Sequence, residues 1–476
     1  PPPVIGADGK PWFKLPPQKS ADDYGMRFSV FWSRDLVNWQ TLGECYFDQD
    51  GDGILSSEER NAVTYIYIQT TEMVSAQGIE FFPNLDYLYL RGVRNWNSTT
   101  RQYDTGTLAS LDVSGNPQLR YLYCYYNQLT ALDVSQNPAL VDLFCNYNQL
   151  TALDVSSNPA LGYLQCNNNQ LTSLDVSNNV NLYGLYCSNN KITTLDTSML
   201  PDLLYLGVSY NPLASFDISA NPNLVNLDCG GLGLTQLDVS HLANLQSLNC
   251  YGNSLSALDL SANPNLQSLS CPSNNLSALD LSANANLQNL DCESNPLGTL
   301  DLSANPALSY LYCAYCQLTS LDISECPSLD RLYCQGNYLQ TLDVSGNESL
   351  YYLYAYNNPL TTLYIYPGQT IQYEYLPDGV EKVVKQDDPD SDFDWSAEFY
   401  HRSLFMRFTA TWCGYCPNMA NTVKLAQSQH PGKLEALNLH PNSSDLAFSG
   451  TETLVSQYGI GGYPSGIVAR LTGLTR

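Results

Sequence analysis

Carboxylate side chains recur at alternate positions in residues 48–59, DQDGDGILSSEE. Asp48, Asp50 and Asp52 are followed by a glycine, and Glu59 stands at the twelfth position of the segment. Oxygen atoms at this spacing wrap around one Ca²⁺, because the glycine permits a sharp turn and the last glutamate closes the ligand shell. The sequence therefore predicts calcium binding in this segment, with Ca²⁺ as the expected cofactor.

The segment resembles the calcium loop of an EF-hand. The resemblance implies six ligand positions, one of them a backbone carbonyl and one acting through water: Asp48, Asp50, Asp52, Ile54, Ser56 and Glu59. The residues SSEERNAVTYI that follow are expected to supply the exiting helix. Sensor EF-hands work in pairs, and the sequence contains no second loop of this type. We therefore interpret the site as structural, with calcium regulation as the alternative.

Two cysteines near the end of the sequence have a spacing suited to thiol chemistry. Cys413 and Cys416 are separated by Gly and Tyr, and Pro464 follows 48 residues after the second cysteine. The thiolate is the attacking form of cysteine, and a helix N-terminus beneath Cys413 would favour that form. The short spacer lets the second cysteine reach back to the first.

The surrounding sequence resembles a thioredoxin fold over roughly residues 396–470, through SLFMRFTATWCGYCPNM and QYGIGGYPSGIV. The resemblance implies that Cys413 is the nucleophile, that Cys416 resolves the mixed disulfide, and that Pro464 is a cis-proline beside them. Arg407 stands where thioredoxins carry a buried carboxylate, which removes the usual base but favours a thiolate. Because 12 residues follow Pro464, we expect an atypical or truncated domain, or one completed by other residues.

Between these motifs the sequence repeats itself every 21 residues. Laid out in rows from residue 108, LQSLNCYGNSLSALDLSANPN and LQSLSCPSNNLSALDLSANAN fall into register, and the register holds to residue 349. Leucines at alternate positions predict a strand with one buried face, and the Asn and Pro that follow predict a turn. Each row therefore predicts one coil of a solenoid, with a continuous parallel sheet on one side.

The rows resemble the short, nested leucine-rich repeats of bacterial proteins. The predicted fold is thus a mainly β solenoid (leucine-rich repeat, parallel sheet) with a short α EF-hand-like segment and a C-terminal α/β thioredoxin-like domain. The predicted domains are an N-terminal arm and helix (1–44), the calcium loop (45–70), the solenoid with its caps (71–370), an acidic linker (371–395) and the thioredoxin-like domain (396–476).

Ten cysteines follow the repeat at a position that calls for an inward leucine, and Val208 interrupts the series once. They are Cys124, Cys145, Cys166, Cys187, Cys229, Cys250, Cys271, Cys292, Cys313 and Cys334. Parallel strands in register aim such side chains alike at nearly 5 Å spacing, which suits a disulfide poorly. We expect reduced, buried thiols, with a disulfide ladder as the alternative. Cys316 and Cys326 occupy Asn positions of the repeat, so a structural role is expected there too.

An aspartate recurs in every row, directly after the inward leucine of the second half, and must point outward. The series is Asp112, Asp133, Asp154, Asp175, Asp196, Asp217, Asp238, Asp259, Asp280, Asp301, Asp322 and Asp343. Carboxylates one strand apart repel one another, so the series should bind cations, take up protons or accept hydrogen bonds from nearby Ser and backbone N–H groups. Hydrogen bonding is the favoured interpretation, because Asp and Ser commonly cap turns.

The outward positions of the strands are aromatic near both ends of the repeat region. The early group is Tyr121, Tyr123, Tyr125, Tyr126, Phe144, Tyr147 and Tyr163, and the late group is Tyr310, Tyr312, Tyr315, Tyr333, Tyr352, Tyr354 and Tyr356. Exposed aromatic area on a rigid sheet marks binding surfaces for protein or glycan. The candidate ligand-binding residues are Tyr121, Tyr123, Phe144, Tyr312, Tyr333 and Tyr354. Two alternatives remain, since tyrosine also suits strands and the early group could contact a flanking domain.

The net charge of the chain limits the classes of partner that it can bind. Asp and Glu number 46 against 20 Lys and Arg, a formal net charge of −26, so the surface should repel nucleic acid and anionic lipid and attract basic partners. No apolar run reaches the length of a transmembrane helix, and the first ten residues lack a signal-sequence pattern. Calcium loops and CGYC thioredoxin domains are common in exported bacterial proteins, and this resemblance implies an extracytoplasmic protein, secreted or attached to the cell surface.

Three functions fit this sequence. The first is a binding protein whose repeat face engages a protein or glycan ligand. The second is a thiol–disulfide oxidoreductase or isomerase that uses the repeats to select substrates. The third is a structural, assembly-forming surface protein, and association with other surface or outer-membrane proteins is expected for it.

Overall fold

The computed structural model describes three ranges and the backbone of several short strands outside them: residues 56–69, 76–92 and 106–385. The chain divides into two compact units, residues 1–384 and 385–476. The loop carboxylates before Ser56, both cysteines of the CxxC motif and Pro464 lie outside the described residues. In the described ranges, no helix is long and apolar enough to cross a lipid bilayer.

The strands of the first unit are numbered in chain order. They are β1 (Val4–Ile5), β2 (Pro11–Trp12), β3 (Phe31–Ser33), β4 (Trp39–Thr41), β5 (Tyr65–Gln69), β6 (Tyr87–Arg91), β7 (Asn95–Asn97), β8 (Gln102–Asp104), β9 (Tyr121–Tyr123), β10 (Asp142–Phe144), β11 (Tyr163–Gln165), β12 (Gly184–Tyr186), β13 (Tyr205–Gly207), β14 (Asn226–Asp228), β15 (Ser247–Asn249), β16 (Ser268–Ser270), β17 (Asn289–Asp291), β18 (Tyr310–Tyr312), β19 (Arg331–Tyr333), β20 (Thr341–Asp343), β21 (Tyr352–Tyr354), β22 (Thr362–Ile365), β23 (Tyr373–Tyr375) and β24 (Glu381–Val384). The second unit has β25 (Ser403–Arg407) and β26 (Gly466–Arg470).

A 15-stranded parallel sheet runs the length of the repeat region, from β5 at one edge to β23 at the other. Successive coils pair in register, so that Leu122 lies opposite Leu143 and Leu143 opposite Leu164. β20, β22 and β24 form a second, three-stranded parallel sheet, and β1–β2, β3–β4 and β7–β8 are antiparallel pairs. The predicted solenoid with a continuous parallel sheet is therefore confirmed.

The sheet extends beyond the predicted solenoid at both ends. β5 belongs to it although it lies in the predicted calcium segment (45–70), and β23, at the other edge, lies inside the predicted linker, as does β24 of the three-stranded sheet. As a result the expected exiting helix is short: α1 spans Ser57–Ala62, and the chain enters the first sheet strand at Tyr65. A single 3₁₀ turn, Ile79–Phe81, leads into β6.

The core is a set of buried columns, one residue per coil. Leucines such as Leu119, Leu122 and Leu129 are fully buried, and so are the ten repeat cysteines and Val208. All twelve described cysteines have free thiols, as expected, and burial raises the pKa of the Cys187 thiol to about 12. The ten repeat cysteines therefore pack as small apolar side chains, with little thiolate available for reaction.

Cys316 keeps the packing role predicted for it. Its Sγ lies 3.1 Å from the backbone oxygen of Cys292, where the amide of an Asn stands in other coils. In the next coil Asn337 Oδ1 accepts the usual hydrogen bond from the Leu318 N–H (3.0 Å) and a further one from the Cys316 N–H (2.9 Å).

A first column of buried asparagines connects each coil to the one before it. Asn148 is representative: its Nδ2 donates to the backbone oxygens of Cys124 (3.0 Å) and Cys145 (3.0 Å), and its Oδ1 accepts from the Leu129 N–H (3.0 Å). One side chain thus satisfies three backbone groups that the turn would otherwise bury unpaired.

A second column of asparagines also donates to backbone carbonyls of the preceding coil, although most of its amide oxygens, including Asn284 Oδ1, accept no hydrogen bond from the described residues. Asn284 is buried, and its Nδ2 donates to the backbone oxygens of Leu260 (3.3 Å) and Asn263 (2.9 Å) in the preceding coil. In one coil Thr197 replaces the usual valine, and its hydroxyl donates to Asn221 Oδ1 at 2.8 Å. The two columns fix the vertical register of the solenoid from within.

Substituting a column asparagine should therefore destabilise the protein. Asn284→Ala removes two buried hydrogen bonds to the preceding coil, at the backbone oxygens of Leu260 and Asn263, which we expect to cost about 1–3 kcal/mol. The measurement is the midpoint of urea unfolding. Asn286→Ala is the matched control, because Asn286 is exposed and its Nδ2 donates to the Pro264 oxygen at 3.0 Å. It should cost less than about 0.5 kcal/mol. Equal shifts of the urea midpoint in the two variants would contradict a stabilising role for the buried asparagine columns.

Candidate functional site

The outer face of the 15-stranded sheet is built from two side chains per strand, one on each side of the inward leucine. The first outward column runs Tyr65, Tyr87, Tyr121, Asp142, Tyr163, Gly184, Tyr205, Asn226, Ser247, Ser268, Asn289, Tyr310, Arg331, Tyr352 and Tyr373. The second runs Tyr67, Tyr89, Tyr123, Phe144, Gln165, Tyr186, Gly207, Asp228, Asn249, Ser270, Asp291, Tyr312, Tyr333, Tyr354 and Tyr375. Because neighbouring strands are in register, like residues stack into columns.

The N-terminal aromatic cluster comprises the aromatic residues of these columns from β5 to β11. Tyr67 and Tyr89 stack with ring centroids 4.3 Å apart, and Tyr65 and Tyr87 with centroids 4.7 Å apart. Farther along, the Tyr123 hydroxyl donates to Asp142 Oδ2 at 3.2 Å. Burial and the neighbouring Asp142 carboxylate raise the pKa of Tyr123 well above its usual value, so the phenol stays protonated.

The C-terminal aromatic cluster comprises the aromatic residues of these columns from β18 to β23. Tyr312, Tyr333, Tyr354 and Tyr375 form one stack, with centroid separations of 4.4, 4.6 and 4.4 Å between successive rings. In the other column the Arg331 guanidinium lies between two rings, 5.1 Å from the Tyr310 centroid and 4.6 Å from that of Tyr352. The face therefore accommodates a guanidinium between tyrosines.

The six predicted ligand-binding residues all lie on this one face and are half-buried: Tyr121, Tyr123, Phe144, Tyr312, Tyr333 and Tyr354. They fall into the two clusters and do not meet one another across the middle of the sheet. The sequence reasoning missed Tyr65 and Tyr67 of β5, which are 39% and 42% exposed, and their partners in β6. The alternation YIYIQ and YLYLR in the sequence could have revealed both strands.

Between the clusters, β14–β17 present small polar and acidic side chains, and we call this region the polar floor. Its outward residues are Asn226, Asp228, Ser247, Asn249, Ser268, Ser270, Asn289 and Asp291. Just before it, Gly184 and Gly207 lie beneath the rings of Tyr163 and Tyr186, since a Cβ at either glycine would fall within 2.5 Å of a ring atom. The outward side chains of the floor are smaller than the rings of the aromatic clusters on either side of it.

The two carboxylates of the floor are half-buried. Asp228 accepts a hydrogen bond from the Ser209 hydroxyl, and Asp291 Oδ1 accepts one from the Glu293 backbone N–H at 3.2 Å. Burial raises the pKa of Asp228, although the Ser209 hydroxyl opposes the shift. Burial likewise raises the pKa of Asp291, to about 6. These carboxylates are more costly to ionise than ordinary surface aspartates.

The aspartate series of the second half-repeat behaves differently. Asp154 Oδ1 accepts the backbone N–H of Ser156 at 2.9 Å, and the same bond recurs in the other coils. Hydrogen bonds from the serine hydroxyl and backbone hold the pKa of the exposed Asp154 below its usual range. The described residues contain no group of three or more acidic, His or Cys side chains that could hold a metal ion. Turn capping, the favoured interpretation, is thus confirmed.

The predicted calcium and CxxC residues are described only in part. Ser56 caps α1, where Glu59 N donates to its Oγ at 3.2 Å and Ser56 N donates to Glu59 Oε2 at 2.8 Å. Asp48, Asp50, Asp52 and Ile54 lie outside the described residues. So do the three predicted residues of the thiol site.

Among solved structures, several leucine-rich repeat proteins match this solenoid, although no family model and no curated protein matched. The functional domain of InlJ from Listeria monocytogenes, which includes a cysteine ladder, is 32% identical, with a TM-score of 0.59 over 68% of this chain and 71% of that one. YopM, a leucine-rich effector protein from Yersinia pestis, is 25% identical, with a TM-score of 0.50 over 63% and 83%. The leucine-rich repeat protein LIC12759 from Leptospira interrogans shares the fold at 22% identity, with a TM-score of 0.56 over 69% and 86%. With its 21-residue coils and its own column of buried cysteines, this chain belongs to the bacterial leucine-rich repeat proteins.

Proposed function

We propose that the protein is an extracytoplasmic binding protein, secreted or attached to the cell surface, that holds a macromolecular ligand on the outer face of its 15-stranded sheet. The observation that carries the proposal is the pair of aromatic clusters that flank the polar floor on one continuous face. Large aromatic side chains held rigidly at a surface are the usual anchors of macromolecular interfaces. The matching region of InlJ is described as the functional domain of that protein, which also supports a role for the repeats themselves.

The face is preorganised for such a role. Each ring of the Tyr312 stack is held at about the strand spacing by its neighbours, and each strand is fixed by the buried asparagines beneath it. Little side-chain freedom remains to be lost when a partner docks, so less of the interaction energy is consumed by ordering the surface.

Replacing the stacked rings should abolish binding. The triple variant Tyr312→Ser/Tyr333→Ser/Tyr354→Ser should reduce ligand binding at least tenfold, because truncating aromatic anchors typically costs about 2 kcal/mol or more. Binding of fluorescent protein to a printed array of peptides and oligosaccharides measures this. Tyr338→Ser is the control, since Tyr338 is 60% exposed and lies outside the strands. Unchanged binding by the triple variant would exclude this end of the face.

We also propose that residues 48–59 bind Ca²⁺ as a structural ion at the entrance to the solenoid. The helix α1 begins at Ser57, within the last residues of the loop, and Glu59, the last proposed ligand, is only 8% exposed. A bound divalent ion would supply the positive charge that this loop of acidic residues lacks. The ligands would be those implied by the EF-hand resemblance.

Calcium should raise the melting temperature, because an ion that binds only the folded form stabilises it by about 2.7 kcal/mol at a hundredfold excess over its Kd. Differential scanning fluorimetry in CaCl₂ and in EGTA measures the shift. Asp50→Asn/Asp52→Asn should remove it while leaving Glu59 to cap the helix. Asp202→Asn, in an exposed turn, is the control and should keep the shift. A calcium shift that survives in the double variant would place the ion elsewhere.

A second candidate function is thiol–disulfide exchange by Cys413 and Cys416. β25 and β26 pair antiparallel with Arg407 opposite Gly466. The CxxC segment follows β25 and Pro464 precedes β26, so both segments leave the same end of this ladder. That topology supports the thioredoxin-like assignment. In the proposed reaction the Cys413 thiolate attacks a substrate disulfide to form a mixed disulfide, and Cys416 then displaces the reduced substrate and leaves a Cys413–Cys416 disulfide.

Blocking resolution by Cys416 should trap the mixed disulfide that Cys413 forms with the substrate. Cys416→Ser should accumulate a covalent mixed disulfide with substrate, visible as a slower band on non-reducing gels that collapses on addition of dithiothreitol. The double variant Cys413→Ser/Cys416→Ser should trap nothing, which excludes the buried repeat thiols as the source. If the single variant traps no substrate, the exchange function is wrong and binding by the repeat face is unaffected.

A further inference from the structure

Asp228 and Asp291 are negative charges that the molecule does not neutralise. The outward residues from β12 to β17 include no Lys, Arg or His, and neither carboxylate forms an ion pair among the described residues. Three ion pairs occur among the described residues, Asp86 with Arg120, Asp330 with Arg331 and Glu374 with Lys382, and none of them involves the polar floor. Asp228 and Asp291 differ from the exposed aspartates without a counterion, such as Asp154, because they are half-buried on the sheet face.

Half-burying an unpaired carboxylate costs free energy, because the charged form loses water and gains no cation. The raised pKa values of both residues express this cost. A neutral Asn or Ser, which the same column carries at Asn249 and Ser270, would avoid it. Charges held at such a cost are a recognised mark of functional surfaces, and a cation arriving from outside would relieve them.

Each of the two carboxylates also has a tyrosine ring beside it. Tyr312 is the first ring of its stack: Tyr333 covers one face at 4.4 Å, and the neighbour on the other side is Asp291. Tyr186 extends over Gly207, whose next neighbour in the column is Asp228. At each end of the polar floor, the second outward column therefore has a tyrosine ring near an aspartate. Asn249 and Ser270 lie between the two aspartates. A ring face next to a carboxylate is a favourable environment for a Lys or Arg side chain.

The same stacking disfavours a sugar ligand. Pyranose rings bind aromatic side chains through exposed ring faces, and inside the Tyr312 stack those faces are covered by neighbouring rings about 4.5 Å away. In the first column the guanidinium of Arg331 fills the gap between Tyr310 and Tyr352. What the clusters leave open to a ligand is mainly ring edges and hydroxyl groups.

We propose that the polar floor binds an extended, basic segment of a partner protein, with two Lys or Arg side chains seated at Asp228 and Asp291. The two aspartates lie three strands apart, which is about 14 Å at the usual strand spacing. An extended chain covers that distance in about four residues, and side chains four apart point to the same side. The segment would run along the solenoid axis with cations at positions i and i+4. This inference rests on the proposed binding role of the face and specifies its ligand.

The test uses the full chain and two fluorescein-labelled peptides, Thr-Arg-Thr-Ser-Thr-Arg-Thr and Thr-Arg-Thr-Ser-Arg-Thr-Thr. Fluorescence anisotropy at 50 mM NaCl should give at least tenfold tighter binding for the first peptide, whose arginines share one side. Asp228→Asn/Asp291→Asn should weaken that binding at least tenfold. The variant should fold normally, with a melting temperature at pH 7.5 no lower than that of the original, because it removes unpaired charge.

The matched control is Asp202→Asn/Glu325→Gln, which removes the same net charge from exposed turns outside the strands. It should change the Kd of the first peptide less than twofold. Equal binding of the two peptides, or equal losses in the two double variants, would overturn the inference and leave only a general attraction of an acidic protein for cations. Failure of both peptides to bind, while the Tyr312 triple variant still loses its ligand on the array, would also overturn it and would leave the binding role of the face intact.

Discussion

The hydrogen bonds of the buried asparagines are the constraint on which the rest of this solenoid depends. A coil of 21 residues has more turn than strand, so many of its backbone groups point into the core without a partner in their own coil. The NH₂ group of an asparagine side chain has two N–H donors, and it can therefore satisfy the carbonyls of two coils at once, as Asn148 does for Cys124 and Cys145. Where Cys316 replaces an asparagine, Asn337 of the following coil accepts an additional N–H. The ladder is therefore maintained by cooperation between neighbouring coils.

The exact register between coils also determines how side chains are arranged on the outer face of the sheet. Every outward side chain lies within about 5 Å of its equivalents in the coils above and below, so a residue type repeated in sequence becomes a continuous strip on the surface. Tyrosines then stack and hold one another rigid. Glycines allow a ring to spread sideways, as Tyr186 does over Gly207 and Tyr315 over Gly336. The side chains of the outer face are consequently arranged in columns. A ligand that lies along the solenoid axis can contact one column over several coils.

The sequence predicted the regular part of this structure because its period is readable. Inward Leu and Cys positions, outward aspartates and both aromatic regions followed from spacing alone. The coil of β5 falls outside the predicted solenoid because β5 to β6 is a step of 22 residues and β6 to β9 one of 34, which breaks the self-similarity. The last coil falls outside it because Glu374 stands in the inward leucine position of β23. That glutamate pairs with Lys382 at 2.6 Å, so the final coil ends the core with a polar side chain.

What the sequence could not reveal is the difference between aspartates. Asp154 and Asp228 are both aspartates and lie within a few coils of each other, but their surroundings shift their pKa values in opposite directions. Asp154 is exposed and hydrogen-bonded within its turn, so its charge is favoured and the series contributes to the fold. Asp228 is half-buried on the sheet face, which raises its pKa, so its ionised form lowers the stability of the folded protein at neutral pH. The difference between the two is burial, which depends on the three-dimensional structure. Only the half-buried kind of aspartate requires a positively charged partner from outside the molecule to explain its presence.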